Sequence, residues 1–545
     1  GSYYLEQIPI SVIERIEVIR GPGSVLYGTN AFAGVINVIT KNGRDFQEGR
    51  VSLKSGSNDL RDGSMVYGTA TSDFDFLIGG NYRNSSGYDF HVPRDEAGNS
   101  GTIPYEDDYG SVFASCKYGD TAVRAMFFRN EKDKFGITPV LAGTGERELT
   151  GWDLDVGYEK EIADGIGFNA YAWYDYLEKE EQLEHYPPSG SGVHEYQEYA
   201  GHKWGTELQM DYRFNEDVSL LGGLVYEGFL AKPYLFVNSQ TGITDAGASP
   251  YADNKNFWDL SPYLQVDWKP FARLGLVAGL RYDYNSDTGS NVSPRGGAIY
   301  EIAEDTLFAK ALYGQAYRSP SVFEKHVRTP NVLMGNANLD PERVSTFDLG
   351  IEYLTRSHRI GINYFFLNTE DMITRNKTVP AGQDGCTRTT PQYGNAEGVK
   401  IQGFEAEIKG SPFGGLSYFW NVSYKFDDED KTTSDDILYM ESWVSSLGIN
   451  WQVLPNLELG NFLNYVGERK GKLSQAQGGA ETDVDPYLLW NLKAGIKPSK
   501  EIELSLIINN LLNTSYTYPE YVRRNITEIP GGPGREFLGE MVYSF

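Results

Sequence analysis

Three of the six histidines of the chain lie in one segment that is also rich in glutamate. This segment contains His185, His194 and His202 together with Glu184, Glu195 and Glu198. Imidazole nitrogens and carboxylate oxygens are ligands that Zn²⁺ and Cu²⁺ take in proteins. The histidine spacings of nine and eight residues match neither a compact zinc finger nor a helical pair. We therefore predict a candidate transition-metal site that depends on how this segment folds, with a solvated surface as the alternative.

Two acidic segments suggest a different metal. They are Asp427, Asp428, Glu429 and Asp430, and Glu106, Asp107 and Asp108. Oxygen ligands of this kind suit Ca²⁺, although most charged segments are only hydrated. The sequence predicts no intrinsic cofactor, and calcium at these acidic outer loops is left open.

Alternating segments are the elements that must position these residues. Every second residue is apolar in segment 274–282, and the same pattern recurs at 347–353, 360–366 and 418–426. The last ten residues alternate as well and end on the aromatic Phe545. Strands with one apolar face and one small or polar face are typical of transmembrane β-barrels.

Turns and loops between these strands can be counted. Short turns fall near Asp73, Asp120, Asp164, Asn215, Pro270, Glu304, Ser357, Pro412, Pro455 and Pro498. Longer polar connections fall near 84–108, 131–150, 179–202, 230–257, 318–342, 369–395, 427–439, 467–485 and 512–535. Ten turns join eleven hairpins, so we predict an all-β fold: a 22-stranded antiparallel transmembrane β-barrel. Because side chains cannot fill so wide a lumen, something must plug it.

Composition agrees with a barrel and excludes other classes. The mean hydropathy is −0.43 and 23% of the residues are charged, so no segment approaches the apolar length of a membrane-spanning helix. The aromatic content of 14% suits two girdles at the membrane interfaces. The net charge of −27 argues against nucleic acid as a partner. Cys116 and Cys386 are expected in a strand and an outer loop, which predicts no disulfide.

An enzyme is not predicted. No nucleophile, base and orienting group can be placed together without assuming that they are close. Outer-membrane proteases and phospholipases are barrels too, but they are smaller. The remaining rivals are a passive porin and a purely structural barrel.

Segment 15–40, which reads RIEVIRGPGSVLYGTNAFAGVINVIT, identifies a family. It resembles the end of the plug of TonB-dependent outer-membrane receptors. Segments 317–320 with 335–342, 398–407, and 509–516 with 534–535 resemble the barrel of the same family. The two glycines at 23 and 28 do not form a phosphate-binding loop, because the lysine is absent and no helix pattern follows.

The resemblance implies a domain organisation. Residues 1–43 are expected to be the C-terminal remnant of a plug domain, and residues 44–545 the barrel. No signal peptide is recognised at Gly1, and the N-terminal box through which such receptors contact TonB is not found. We therefore expect the rest of the plug to have been cleaved, to be disordered or to reside on a separate chain. The implied location is the outer membrane of a Gram-negative bacterium, with a monomer surrounded by lipid.

Plug-to-barrel ion pairs are also implied by the resemblance, because plug arginines of this family meet carboxylates on the inner wall. Arg15 and Arg20 are the candidates in the plug segment. Glu405 and Glu407 alternate with apolar residues and are expected to point into the lumen. We predict that Arg20, with Arg15, pairs with one of these glutamates.

The resemblance implies import of a scarce metal chelate with energy from an inner-membrane TonB complex. A ferric siderophore is the first candidate, because such ligands meet aromatic and arginine side chains. The last loop offers Tyr516, Tyr518, Tyr521, Arg523 and Arg524. Haem is the second, since family haem receptors carry a histidine where His326 stands. Cobalamin or another chelate is the third.

Overall fold

The wall strands between Gly49 and Ser544 form one closed antiparallel β-barrel. The computed structural model describes all residues except 1–6, 22, 30, 33, 93–99, 136–143, 185–193, 234, 239–253, 331–332, 433–434, 436, 473–479 and 520–527. The 22 wall strands are Gly49–Gly56, Arg61–Ala70, Phe74–Ser85, Asp107–Tyr118, Thr121–Phe135, Thr144–Ala163, Ile166–Glu184, His194–Arg213, Val218–Ala231, Lys255–Phe271, Leu274–Asn285, Gly289–Ala303, Leu307–Arg318, Glu342–Leu354, His358–Glu370, Val399–Gly410, Leu416–Asp430, Trp443–Leu454, Leu457–Val466, Tyr487–Ile496, Ile502–Asn509 and Glu536–Ser544. The short strand Leu235–Asn238 pairs with His194–Arg213 beyond the end of Val218–Ala231, in the same wall position. The predicted fold class is confirmed.

The barrel closes between its first and last strands. Arg50 pairs with Ser544, and the register continues to Gly56 opposite Leu538. Gly49 and Phe545 exchange two backbone hydrogen bonds of 2.8 Å. A Cβ at residue 49 would lie 2.3 Å from the Phe545 ring, so only glycine leaves room for the C-terminal aromatic. All backbone groups along the seam are thus paired, as a sheet in lipid requires.

Nine of the ten predicted turns lie between wall strands, and the tenth, near Pro270, falls two residues before the turn that follows Lys255–Phe271; all ten are at the end of the barrel that holds the C-terminus. At the opposite end, nine of the eleven connections coincide with the predicted loops. The prediction missed the other two, at 57–60 and 286–288, because they are as short as the turns.

The loops predicted at 131–150 and 179–202 are at the right places, but their bounds were too wide, because most of these residues extend the wall strands. Thr144–Ala163 and His194–Arg213 each have 20 residues, whereas a tilted strand needs only about 10 to cross a membrane. An outward row of aromatic residues, Phe127, Trp152, Tyr176 and His202, runs across four paired strands. About 13 Å farther along the same face lies a row of four glutamates, Glu131, Glu148, Glu180 and Glu198. The apolar alternation therefore stops at the girdle, although the strands continue.

The described residues between 7 and 48 pack against the inner face of this wall. The strand Ile13–Arg20 pairs with Gly34–Thr40, and one helical turn, Ser24–Tyr27, lies between them. Val12 is fully buried in a cluster with Phe46, Val66, Leu77 and Phe113. None of the described helices is long and apolar enough to cross a membrane.

Smaller sheets stand outside the wall. They are Asp89–Val92 with Gly101–Pro104; Arg328–Thr329, Leu333–Met334, Met372–Val379 and Thr390–Ala396; Arg469–Lys472 with Glu481–Val484; and Thr517–Pro519 with Glu528–Pro530. All belong to the connections at the outer end, as does the short helix Val322–His326. Outer loops and the tip of the inner segment are therefore the elements that can form a site.

Candidate functional site

The tip of the inner segment lies against a buried arginine of the wall. Gly28 has a φ of +73°, and a Cβ on it would lie 3.1 Å from the guanidinium of Arg281. Arg281 is only 4% exposed; it donates to Asp283 at 2.7 Å and lies over the ring of Tyr263 at 5.7 Å. A residue with a side chain at position 28 would therefore meet both backbone strain and the guanidinium. Arg281 was not among the predicted contacts, although the alternation already placed it on the inner face.

A second contact links the same tip to an outer loop. The hydroxyl of Thr29 accepts from the backbone N–H of Ser319 at 3.4 Å. The preceding residue, Arg318, donates to both oxygens of Glu324 at 3.0 Å and to Glu342 at 2.5 Å. A bidentate pair with a third charged partner fixes the guanidinium geometrically. The tip therefore contacts the outer loop at Ser319, the residue that follows Arg318 of this ion cluster.

Glu324 also closes a capping box that starts the helix Val322–His326. Ser321 accepts from the Glu324 backbone at 3.2 Å, and the Glu324 carboxylate accepts from the Ser321 backbone at 2.7 Å. Burial alone would raise the pKa of Glu324, but the hydrogen bonds from Arg318 and Ser321 lower it below its usual range. The carboxylate is therefore held ionised at neutral pH.

His326 ends this helix at the outer side of the barrel, where the sequence placed it in a loop. Burial and the nearby cations Lys255 and Lys325 lower its pKa, against an opposing effect of Asp287. Lys325 is buried and pairs with Asp287 at 3.0 Å, which fixes the helix on the neighbouring hairpin. The assignment of His326 to a ligand remains a prediction.

The last outer loop carries the predicted aromatic residues into a packed cluster. Tyr516 lies 4.6 Å from Tyr487 and 5.8 Å from Tyr518 between ring centroids. The Arg469 guanidinium lies over Tyr487 at 5.1 Å and over Tyr518 at 6.0 Å. Arg469 is 4% exposed, whereas 40% of Tyr518 is exposed at the outer surface. We call these four residues the outer aromatic cluster.

Two further observations describe this cluster. Burial and the neighbouring tyrosines raise the pKa of Tyr516 above its usual value, so its hydroxyl stays protonated and can donate. Arg469 donates to the carbonyls of Asp485 and Thr517 at 3.2 and 3.0 Å, which ties two loops together. Sequence reasoning missed Arg469 because it lies in another loop. Tyr521, Arg523 and Arg524 lie outside the described residues.

Two of the residues predicted to form plug-to-barrel ion pairs, Arg15 and Glu407, pair with residues of their own strands. Arg15 pairs with Glu17 at 2.8 Å and Glu14 at 2.9 Å, both in its own strand. Glu407 pairs with Lys409 at 3.6 Å on the wall. The side chain of Arg20 lies outside the described part of the structure, so its pairing with Glu405 or Glu407 stays a prediction.

The position of the next residue bears on that prediction. A Cβ on Gly21 would lie 3.4 Å from the Thr346 hydroxyl and 3.7 Å from a carboxylate oxygen of Asp348. Asn363 donates to Asp348 at 3.1 Å and lies opposite Glu405 on the next strand. The end of the strand Ile13–Arg20 therefore lies near the wall strands that carry Asp348 and Glu405, and the pairing of Arg20 stays a prediction.

The three-histidine site needs correction. His194 and His202 belong to one wall strand rather than to a loop, and eight residues of strand separate them by about 26 Å. They cannot bind the same ion, because ligands of one metal must lie within a few ångströms of each other. The His202 ring instead lies 2.7 Å from the Tyr174 hydroxyl in the girdle, and His185 is outside the described residues.

The acidic segments do not converge on a common point either. Asp427 accepts from Gln402 at 2.7 Å and Asp428 pairs with Lys425 at 2.8 Å, on alternating faces of one strand. Asp107 lies 3.3 Å from Arg83, and Asp108 accepts from Tyr82 at 2.7 Å. Among the described residues, no group of three or more His, Cys, Asp or Glu side chains is arranged to hold a metal ion. Asp107 and Asp427 belong to wall strands rather than to loops, and calcium at these acidic segments stays a prediction.

Known proteins resemble this chain over nearly its full length. A probable TonB-dependent siderophore receptor, PirA of Acinetobacter baumannii, is 22% identical, with 99% of this chain and 80% of that protein covered. The ferrienterobactin receptor of Escherichia coli is also 22% identical, over 93% of this chain and 76% of the other. Among solved structures, a variant of the ferric enterobactin receptor PfeA of Pseudomonas aeruginosa, bound to enterobactin, gives a TM-score of 0.79 at 18% identity. It covers 99% of this chain and 87% of that one, and this likeness concerns the fold.

Family comparisons agree with the geometry. Residues 1–35 match the TonB-dependent receptor plug domain, and residues 72–511 match the TonB-dependent receptor-like β-barrel. The barrel match spans most of the closed sheet, and the plug match ends just after the tip that touches Arg281. On these grounds the chain belongs to the family of TonB-dependent receptors.

Proposed function

We propose that this chain is an outer-membrane receptor that binds a ferric siderophore at its outer end and imports it with energy from TonB. The observation that carries the proposal is the outer aromatic cluster, which places a guanidinium and three tyrosines at the mouth of a barrel whose bore holds a plug segment. A barrel of this family spans the outer membrane of a Gram-negative bacterium.

The chemistry of the cluster favours catecholate iron chelates. Such a chelate presents aromatic rings and carries a net negative charge, so it can stack on tyrosines and be attracted by a guanidinium. The names of the curated relatives as ferric enterobactin receptors support the same ligand class. Haem and cobalamin lack this combination of anionic oxygens and small aromatic rings.

The plug segment argues against a passive porin. Its tip lies beside Arg281, and Thr29 of the tip accepts a hydrogen bond from Ser319 at the outer end of the wall. Both contacts cross from the plug to the barrel, so they restrict the passage that a porin leaves open. No catalytic role is proposed for any residue of the outer end.

Growth under iron limitation tests the proposal. A deletion strain that is complemented with the intact receptor should grow on ferric enterobactin or another catecholate as its sole iron source. Complementation with the Arg469→Met variant should support growth only at a higher chelate concentration, and removal of TonB should abolish growth. If the receptor instead supported growth only on haem, on cobalamin or on a ferric hydroxamate, that compound would take the place of the catecholate as the proposed ligand.

Conductance in a planar bilayer separates the receptor from a porin. The purified receptor should pass little current until the plug is disturbed by denaturant. A stable open conductance in buffer alone would contradict the proposed transport mechanism, whatever ligand is bound.

A further inference from the structure

The two strands of the wall hairpin 289–318 are paired over only part of their length. Their pairing runs outward from the inner turn to Arg295, which lies opposite Gly314, and ends there. Beyond this point the first strand stays paired with the strand before it, and the second with the strand after it. We call the unpaired stretch at the outer end, between 289–294 and 315–318, the wall split.

Proline explains where the pairing ends. Pro294 is the first residue beyond the last pair, and it has no backbone N–H to donate to a neighbouring strand. A second proline, Pro262, belongs to the strand Lys255–Phe271 and lies where two consecutive pairs with the strand Leu274–Asn285 are missing. The segment 281–294, which we call the flap, is therefore incompletely paired with the strands on both of its sides.

The inner face of the flap carries buried polar atoms without partners. Asp283, Asn291 and Ser293 are 2%, 6% and 1% exposed. Within the described part of the protein, the Oδ2, Nδ2 and Oγ atoms of these residues, respectively, make no hydrogen bond. A buried polar group without a partner destabilises the arrangement that buries it, because it has lost its hydrogen bonds to water. The flap is thus weakly stabilised by its own contacts.

The plug tip contacts both sides of the wall split. Gly28 lies beside Arg281 of the flap, and Thr29 accepts from the backbone N–H of Ser319, which directly follows the other edge of the split. The Ser319 hydroxyl also lies 3.4 Å from the Thr288 hydroxyl at the end of the flap. These contacts cross the split where ladder pairs are missing, so they hold the flap to the next strand while the tip is in place.

The outer loop attaches the end of the flap as well. Lys325 of the helix Val322–His326 pairs with the carboxylate of Asp287 at 3.0 Å and donates to its backbone carbonyl at 2.9 Å. The flap is therefore held by the plug tip and by this helix, through side chains rather than through a continuous ladder.

We propose that the flap is a movable part of the barrel wall that the plug tip holds closed. When the tip withdraws, the contacts at Arg281 and Ser319 are lost together, the wall split parts, and the outer end of the bore widens beside the plug. A fully paired wall resists such a movement, because every broken ladder bond leaves backbone groups unsatisfied at the membrane. Along the split no ladder pairs need to break. The inference concerns the wall alone and is independent of which ligand the receptor imports.

Hydrogen exchange of the purified receptor in detergent tests the proposal. Amides of 289–293 are compared with those of 360–366, a segment that is paired without interruption on both sides. In Gly28→Val, which crowds the guanidinium of Arg281, exchange at 289–293 should become at least about tenfold faster, while exchange at 360–366 should change less than about twofold. Thr29→Val removes only the hydroxyl that accepts from Ser319 and should accelerate exchange at 289–293 about threefold. Unchanged exchange in both variants, or equal acceleration in the two segments, would overturn the proposal.

A reversible cross-link across the split gives a second test. Ser293 and Ala316 would lie opposite each other if the register continued, and they are 1% and 3% exposed. The variant Ser293→Cys/Ala316→Cys is combined with Gly28→Val, in a chain whose Cys116 and Cys386 are replaced by alanine. It should form a disulfide when oxidised, and exchange in the flap should then slow to within about twofold of its rate with glycine at residue 28. The same protein under reductant should exchange fast.

The matched control places a disulfide where the ladder is continuous. Asn421 lies opposite Ser446 on paired wall strands, and Asn421→Cys/Ser446→Cys in the same Gly28→Val background should not slow exchange in the flap. If no disulfide formed between residues 293 and 316, the two edges would not close on each other, and the proposal would fail. It would fail equally if the oxidised and reduced forms exchanged at the same rate, or if the control disulfide slowed the flap as much.

Discussion

The ion cluster around Arg318 gives a quantitative prediction. Arg318→Gln removes the guanidinium that pairs with Glu324 and Glu342, whose side chains are 16% and 8% exposed. Breaking a fully buried ion pair costs about 3–5 kcal/mol, because the remaining charge is left uncompensated. The Arg318 side chain is 28% exposed, so we reduce the expected cost to about 2–3 kcal/mol. Each remaining carboxylate keeps some access to water, which limits the loss.

Hydrogen exchange of the loop that contains the helix Val322–His326 measures this cost. Because every 1.4 kcal/mol corresponds to a factor of ten, protection factors of its backbone amides should fall about 30- to 140-fold. The matched control is Arg343→Gln, since the Arg343 side chain is 57% exposed and lies 4.0 Å from Asp371. That variant should change protection less than about threefold.

The same cluster predicts a dependence on pH. The folded-state pKa of Glu324 lies below its ordinary value of 4.5, so its contribution to stability is fully present above pH 4.5. That contribution is lost as the pH falls through the lowered pKa and the carboxylate becomes protonated. Normalised protection of the helix should therefore decrease below pH 4.5 in the wild type and change less in Arg318→Gln. Equal protection in wild type and Arg318→Gln at pH 7, or an equal loss in Arg343→Gln, would refute the reasoning.

Three further predictions concern other contacts. Gly28→Val combines a strained positive φ with a clash against Arg281, so it should displace the plug tip and increase single-channel conductance and sensitivity to large antibiotics. Arg469→Met should weaken binding of ferric tris-catecholate at the outer face about tenfold or more, measured by quenching of tryptophan fluorescence. Gly49→Val should obstruct the Phe545 ring, so a larger fraction of the protein should run as the unfolded species on unheated gels than for Gly275→Val, where a Cβ meets open space. If Gly49→Val and Gly275→Val gave the same unfolded fraction on unheated gels, the seam would tolerate a side chain at residue 49.

Much of the wall could be predicted because the membrane imposes a period of two on the sequence. Leu274–Asn285 reads as alternating apolar and polar residues, and the turn that precedes it was predicted near Pro270. This rule holds only where one face contacts lipid. Beyond the aromatic girdle both faces are wet, so Glu148 and Glu180 belong to strands that have no apolar alternation to reveal them.

The site was less predictable, because its contacts join residues that are far apart in sequence. Gly28 lies beside Arg281, and Thr29 accepts a hydrogen bond from Ser319, because the plug segment lies in the bore. Tyr516 could be chosen from a cluster of aromatics in one loop, but its partner Arg469 lies in a different loop. Likewise, the spacing of His194 and His202 suggested a metal site, but the residues between them form one extended strand that keeps the two histidines apart.

The seam at Gly49 has a consequence for biosynthesis. The edge of the first wall strand, Gly49–Gly56, finds its partner only in the last wall strand, Glu536–Ser544, so the barrel cannot close before that strand is present. A polypeptide that stops early keeps two bare edges, which in lipid would leave a row of amides unsatisfied. A chain without Glu536–Ser544 is therefore expected not to form a closed barrel in the membrane, so the last strand couples closure of the barrel to the presence of every strand before it.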